Sequence, residues 1–172
     1  FAFTLSPRCG VRLRPGAVRA CGGEAGCQAR EAAGSMAVVV MKFGGTSVAN
    51  IERIRNVARH VKREVDAGNK VAVVVSAMSG ATNQLIAWVK EASPNSIYDP
   101  VEYDAVVATG EQVTAGLLAL ALQDMGHKAR SWTGWQIPVK TTAAHGAARI
   151  LDIPGEEISR RLDAGEIAVV TG

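Results

Sequence analysis

Lys42 stands between the apolar run at 37–41 and the pair Gly44-Gly45, so a strand is expected to end beside one cationic side chain and backbone free of Cβ atoms. That combination suits a phosphoryl group. Glycine backbone can close on an anion, free N–H groups can point at its oxygens, and one ammonium group offsets its charge. An ordinary glycine turn, with Lys42 lying along the surface, accounts for the same residues without chemistry. Neither standard nucleotide fingerprint is present: there is no G-x-x-x-x-G-K-[ST] stretch, and no G-x-G-x-x-G closes the first strand. A different phosphate-binding fold is indicated.

Two more segments could contribute. Residues 76–83 read Ser-Ala-Met-Ser-Gly-Ala-Thr-Asn, a strand end rich in hydroxyls that leads into a helix whose free N–H groups can hold a carboxylate or phosphate. N-capping by Ser79 or Thr82 is the competing explanation. Residues 109–112 read Thr-Gly-Glu-Gln, which places the carboxylate of Glu111 at the start of an otherwise apolar helix. There it could cap its own helix or accept from a ligand ammonium. A cation for phosphate, donors for a carboxylate and an acid for an amine together describe a site for a nucleotide and an amino acid.

Strands and helices must alternate to position these segments. The apolar runs at 37–41, 71–75 and 167–170 are β-branched and unbroken, as in strands covered on both faces. Between them Ile51, Ile54, Ala58, Val61 and Val65 recur at steps of 3 and 4, a helix with one apolar face that Gly68 should stop. Helices are also expected over 81–92, from Pro100 toward Gly110, over 111–125 and over 154–164, with a loop at 93–96. In the helix over 111–125 the residues Val113, Leu117, Leu118, Leu120, Ala121 and Leu122 form a broad apolar surface that should be largely buried. Short extended pieces are expected at 129–133, 137–141 and 148–153. The pattern is that of an α/β fold with a mainly parallel sheet, in which ligands collect at the carboxyl ends of the strands.

Composition sets the outer limits. The chain has 172 residues, 48% hydrophobic and 20% charged, enough to bury a core. Residues 1–35 carry Arg8, Arg12, Arg14, Arg19 and Arg30 against Glu24 and Glu31, while the remaining 14 cationic and 14 acidic side chains balance. The part from Met36 onward thus has no basic excess to suggest nucleic acid. Cys9, Cys21 and Cys27 all fall in the same leading segment at spacings that fit no zinc pattern. That segment lacks periodicity and is expected to be a foreign or unstructured leader outside the fold, either upstream translated sequence or an Arg-rich targeting peptide. No stretch of ~18 apolar residues is free of charge, so neither a membrane span nor a secretory signal is expected, and a cytoplasmic location is.

Taken together, Lys-Phe-Gly-Gly-Thr-Ser at 42–47, the Val-Val-Ser-Ala-Met-Ser-Gly-Ala-Thr-Asn run at 74–83 and Thr-Gly-Glu at 109–111 resemble the aspartate kinases (aspartokinases), of the amino acid kinase fold. Arg53 to Val57, Trp132 to Gln136 and the closing stretch at 168–172 are similar to the same family. The resemblance runs from Met36 to Gly172. It implies a three-layer αβα sandwich, incomplete at the C-terminus, and transfer of the ATP γ-phosphoryl group to the β-carboxylate of L-aspartate, the first step toward lysine, threonine and methionine. A carboxylate is already an ionised nucleophile, so no general base is needed and charge neutralisation dominates. By the match Lys42 neutralises the phosphoryl group. Phe43, Gly44, Gly45 and Ser76 line the nucleotide side, Thr82 and Glu111 the substrate side, and Mg²⁺ accompanies ATP. His60, His127 and Cys9 receive no role, and His145 reads as a loop residue.

The family's arginine-bearing glycine loop, its adenine and ribose contacts and its regulatory domains would all follow Gly172. The chain alone is therefore expected to be inactive, its parent an oligomeric kinase. Another amino acid kinase, of acetylglutamate or glutamate type, or a non-catalytic binding fragment are the alternatives. Glu111 speaks against the first, because an acylated amine needs no acidic partner.

Overall fold

A computed structural model describes residues 2–5, 37–94, 99–137, 139–145 and 147–172. In chain order the elements are β1 (Ala2–Leu5), β2 (Val38–Phe43), α1 (Ile51–Asp66), β3 (Lys70–Val75), α2 (Ala81–Ala92) and α3 (Pro100–Val107). They continue with α4 (Thr109–Asp124), β4 (Ala129–Trp132), β5 (Lys140–Thr141), β6 (Ile150–Asp152), α5 (Glu156–Asp163) and β7 (Ile167–Thr171).

Valine builds the middle layer. One sheet runs β1-β2-β3-β7-β4, in which β2, β3, β7 and β4 are parallel. Side chains alternate across it. Val71, Val73 and Val75 of β3 and Ile167 and Val169 of β7 meet α1 and α4 on one face, whereas Ala72 and Ala168 meet Leu162 of α5 and Trp132 on the other. Each fully buried valine contributes about 1.5–3 kcal/mol relative to exposure. The result is the expected αβα sandwich. Phe43 and Lys42 belong to β2 itself, so the first strand runs two residues further than the apolar run implied.

Helix α1 follows its sequence pattern at Ile54, Ala58 and Val61, but Ile51 at its first turn is 45% exposed and Val57 takes a place in the stripe. Ile54, Val57, Ala58 and Val61 form one buried stripe, Asn50 Oδ1 accepts from the Arg53 N–H at 2.9 Å to open the helix, and Gly68 at φ +86° ends it. Helix α4 corrects its pattern. Val113 and Leu120 are 55% and 62% exposed, and the inner stripe is Thr114, Ala115, Leu118, Ala119 and Leu122. Small residues at 115 and 119 let the helix lie close to its neighbours, a preference that hydrophobicity does not encode. The buried Thr114 hydroxyl is satisfied by the Gly110 carbonyl at 3.1 Å. Together α3 and α4, Pro100–Asp124, are long and apolar enough to cross a membrane by length and composition. The inner stripe of α4 packs instead on α1 and the sheet.

Two other expectations are revised. The extended piece at 137–141 is a strand only at Lys140–Thr141; it pairs antiparallel with β6 in a separate exposed ribbon, while Ile137 is buried in a turn. The leader was expected outside the fold, yet Ala2–Leu5 pairs antiparallel with β2 from Ala2 opposite Met41 to Leu5 opposite Val38. An open strand edge offers backbone groups that any extended chain can satisfy, whatever its side-chain pattern. Residues 6–36, with all three cysteines, and Asn95 and Ser96 of the expected loop lie outside the described residues.

Candidate active site at the carboxyl ends of the strands

Strand register brings the first two segments and the end of β7 to one end of the sheet. Phe43 lies opposite Val75, and Val75 opposite Thr171, so Gly44, Ser76 and Gly172 leave three adjacent parallel strands at one level. The ladder extends one residue further: the Ser76 N–H donates to the Phe43 carbonyl at 3.1 Å and the Gly172 N–H to the Val75 carbonyl at 2.9 Å.

Lys42 sits two residues below that level, exposed, on the face of β2 that carries Val38 and Val40. Among the described residues it forms no ion pair, which leaves its ammonium group available. The loop beyond it is pinned by Ser47 and Val48, whose N–H groups donate to the Gly44 and Gly45 carbonyls at 2.8 and 3.3 Å while Val48 is fully buried. The two glycines differ. A Cβ at Gly44 would meet nothing within 4 Å, whereas one at Gly45 would stand 2.9 Å from the Ala77 carbonyl oxygen. Neither has a left-handed φ, so close approach, not conformational freedom, explains Gly45.

Capping does not explain the second segment. Gly80, at φ +81°, occupies the N-cap of α2 and no side chain caps the helix, so the Ser79 and Thr82 hydroxyls are not engaged there. Thr82 is half-buried in the first turn of α2 and Ser76 half-buried at the strand end.

Glu111 does not cap its own helix. Its Oε1 accepts from the Ala77 N–H at 3.3 Å, tying α4 to the segment after β3. It also lines an open cleft of about 550 Å³ with Ala105, Gln112, Gly134, Trp135 and Thr171. Lys42, Ser76 and Thr82 are not among that cleft's lining residues. The contacts that do join the segments run through Ala77 and Gly110, which the sequence reading left without a role. Only the smallness of both residues beside chemically active neighbours could have signalled them. His145 is a loop residue, as expected, and its Nδ1 lies 3.2 Å from Asp104 Oδ2 of α3. Among the described residues no three His, Cys, Asp or Glu side chains gather as a metal set.

Comparison with known proteins shows the family. The model of the amino acid kinase family matches residues 37–172. The chain is 50% identical over 137 residues to an aspartate kinase of Stutzerimonas stutzeri (strain A1501) and 47% identical over 137 residues to an aspartokinase of Geobacillus stearothermophilus. Each alignment takes in 80% of this chain and 33% of the relative, so the chain spans about a third of the length of the curated relatives it matches. A crystal structure of aspartate kinase from Synechocystis superposes with a TM-score of 0.63 at 39% identity, covering 78% of this chain and 21% of that one. With its parallel valine sheet, its helices on both faces and its match from residue 37 to its last residue, the chain belongs to the amino acid kinase family.

Proposed function

We propose that residues 36–172 form the aspartate-side part of an aspartate kinase catalytic domain, whose full protein phosphorylates the β-carboxylate of L-aspartate with ATP. The observation that carries this reading is the 50% identity to an aspartate kinase over 137 residues. The unpaired Lys42 beside an open Gly44 adds chemical support.

In the reaction a β-carboxylate oxygen bonds to the γ-phosphorus while the bond from that phosphorus to the ADP oxygen breaks, and ADP leaves with the electron pair. No proton leaves the nucleophile, so the work is alignment and charge. Lys42 offsets negative charge on the moving group and the backbone N–H groups of Gly44 and Gly45 donate to it. Phe43 and Ser76 flank that end. Glu111, with one oxygen on Ala77, keeps a second for the substrate ammonium group, and Thr82 faces the substrate from α2. The residues present fit the phosphate end of ATP. Mg²⁺ would be carried by the phosphates of the nucleotide and would supply further charge neutralisation there, since no three His, Cys, Asp or Glu side chains gather to hold it among the described residues. The chain, about a third of the length of its curated relatives, is proposed to be inactive by itself. A cytoplasmic, oligomeric parent feeding lysine, threonine and methionine synthesis completes the reading.

Calorimetry of L-aspartate binding to the full-length protein tests it. Glu111→Ala should weaken affinity about 10-fold or more, since a charged hydrogen bond is worth ~1.5–3 kcal/mol. Unchanged affinity would take Glu111 out of the substrate site.

A further inference from the structure

Ala77 meets the other two segments of the site with three different atoms. Its N–H donates to Glu111 Oε1 at 3.3 Å. Its carbonyl oxygen lies 2.9 Å from where a Cβ at residue 45 would stand, and its methyl carbon 3.0 Å from where a Cβ at residue 110 would stand. The residue is 5% exposed. Neither glycine has room for a side chain against Ala77, so the loop after β2 and the first turn of α4 are held apart by the thickness of one alanine.

We infer that Ala77 is a spacer that fixes the distance between the ammonium anchor Glu111 and the phosphoryl cradle Gly44-Gly45, and so selects the length of the acceptor amino acid. The inference rests on the proposed function. L-Aspartate and L-glutamate differ by one methylene between the carbon bearing the amine and the carboxylate that is phosphorylated. Two anchors held at a fixed separation read that difference, and one methylene is typically worth ~10–200-fold in discrimination. The methyl of Ala77 bears on the residue next to Glu111, and its carbonyl bears on the residue next to Gly44. A larger side chain at 77 drives the two ends apart. Ala77 meets no reacting atom; it is a positioning residue.

Steady-state kinetics of the full-length protein with L-aspartate and L-glutamate as acceptors test the spacer. Ala77→Val should lower kcat/KM for L-aspartate roughly 10–100-fold and cut the aspartate-to-glutamate preference at least ~5-fold, with the KM for ATP within about twofold of the parent. Gly110→Ala adds its methyl from the other side of the same contact and should act in the same direction. Ala77→Gly removes the spacer without adding bulk, so it remains informative if the larger variants fail to fold. It should raise the KM for L-aspartate about 3–10-fold with no gain for L-glutamate. An unchanged preference in folded Gly110→Ala together with an unchanged KM in Ala77→Gly overturns the spacer, as does an equal loss for both acceptors in Ala77→Val. A parent protein that phosphorylates neither acceptor removes the proposed function and the spacer with it, a result distinct from a parent kinase whose variants keep its preference.

Discussion

Lys42 and Lys70 lie on adjacent parallel strands at opposite ends of the sheet, and they are treated in opposite ways. Lys70 opens β3 at the amino end, where its ammonium group meets Asp163 of α5 at 2.8 Å; Arg161 and Glu166 face each other at 3.5 Å nearby. Charge at that end is matched within the fold. Lys42, near the carboxyl end of β2, has no ion partner among the described residues and stands before a glycine with open space around it. The same side chain thus serves as a tie at one end and as an unspent charge at the other. An ammonium group left unpaired beside exposed backbone contributes little to stability, so its use is to be sought in what binds there.

The sharpest way to break that contrast is Lys42→Met in the full-length protein. If Lys42 offsets charge on the moving phosphoryl group, kcat should fall by ~10²–10³-fold or more, the scale on which removal of one electrostatic stabiliser is felt. Melting temperature should not change, since no ion pair is lost. Near-normal turnover would leave Lys42 a surface residue, as the plain glycine-turn explanation has it.

How much of this was legible depended on whether side-chain type alone determined the outcome. Helix α1 segregates Arg and Glu from Ile, Val and Ala, so most of its buried stripe could be read directly, Ile51 at the exposed first turn excepted; the valine runs declared covered strands for the same reason. Helix α4 is apolar nearly all round, and the choice of inner face was made by Ala115 and Ala119, which permit close approach, not by Val113 or Leu120. Hydrophobic pattern carries no information on close approach. The same blindness hid Ala77 and Gly110, whose importance lies in how little room separates them: a Cβ at residue 110 would stand 3.0 Å from the Ala77 methyl carbon. Pairing of Ala2–Leu5 with β2 depends on backbone groups, which every sequence shares. Lys42, Gly45 and Glu111 could be proposed from sequence because the chemistry suggested for them is carried by residue identity and by place along a strand or helix.

Lys70→Met sharpens the comparison from the other end. It should leave kcat untouched and lower stability by up to ~1 kcal/mol, as expected of a tie that is partly exposed, with side-chain exposures of 22% and 65% for Lys70 and Asp163. Asp163 is wet enough to be rehydrated, so the loss should stay at that scale. Urea unfolding of parent and variant measures it. A loss of activity with stability intact would mean that both ends of the sheet serve the site, and the contrast would fail.

Glu157 on α5 gives the smallest effect and a pH signature. Hydrogen bonds from Arg160, and then from Arg161, hold its carboxyl well below the usual carboxylate range, at about 2. A carboxyl that is more acidic in the folded state adds stability fully present above its unfolded pKa and lost as the pH falls toward 2. The cluster is on the surface, where water screens it, so Glu157→Gln should lower the melting temperature by only about 1–2 °C at neutral pH. That deficit should shrink below pH 4, vanish near pH 2 and disappear in ~1 M salt, where the Debye length is about 3 Å. A deficit that survives acid and salt would show that Glu157 acts through packing. Paired charge on this outer helix would then be no guide to the paired charge at the amino end of the sheet, and Lys70 would have to be judged without it.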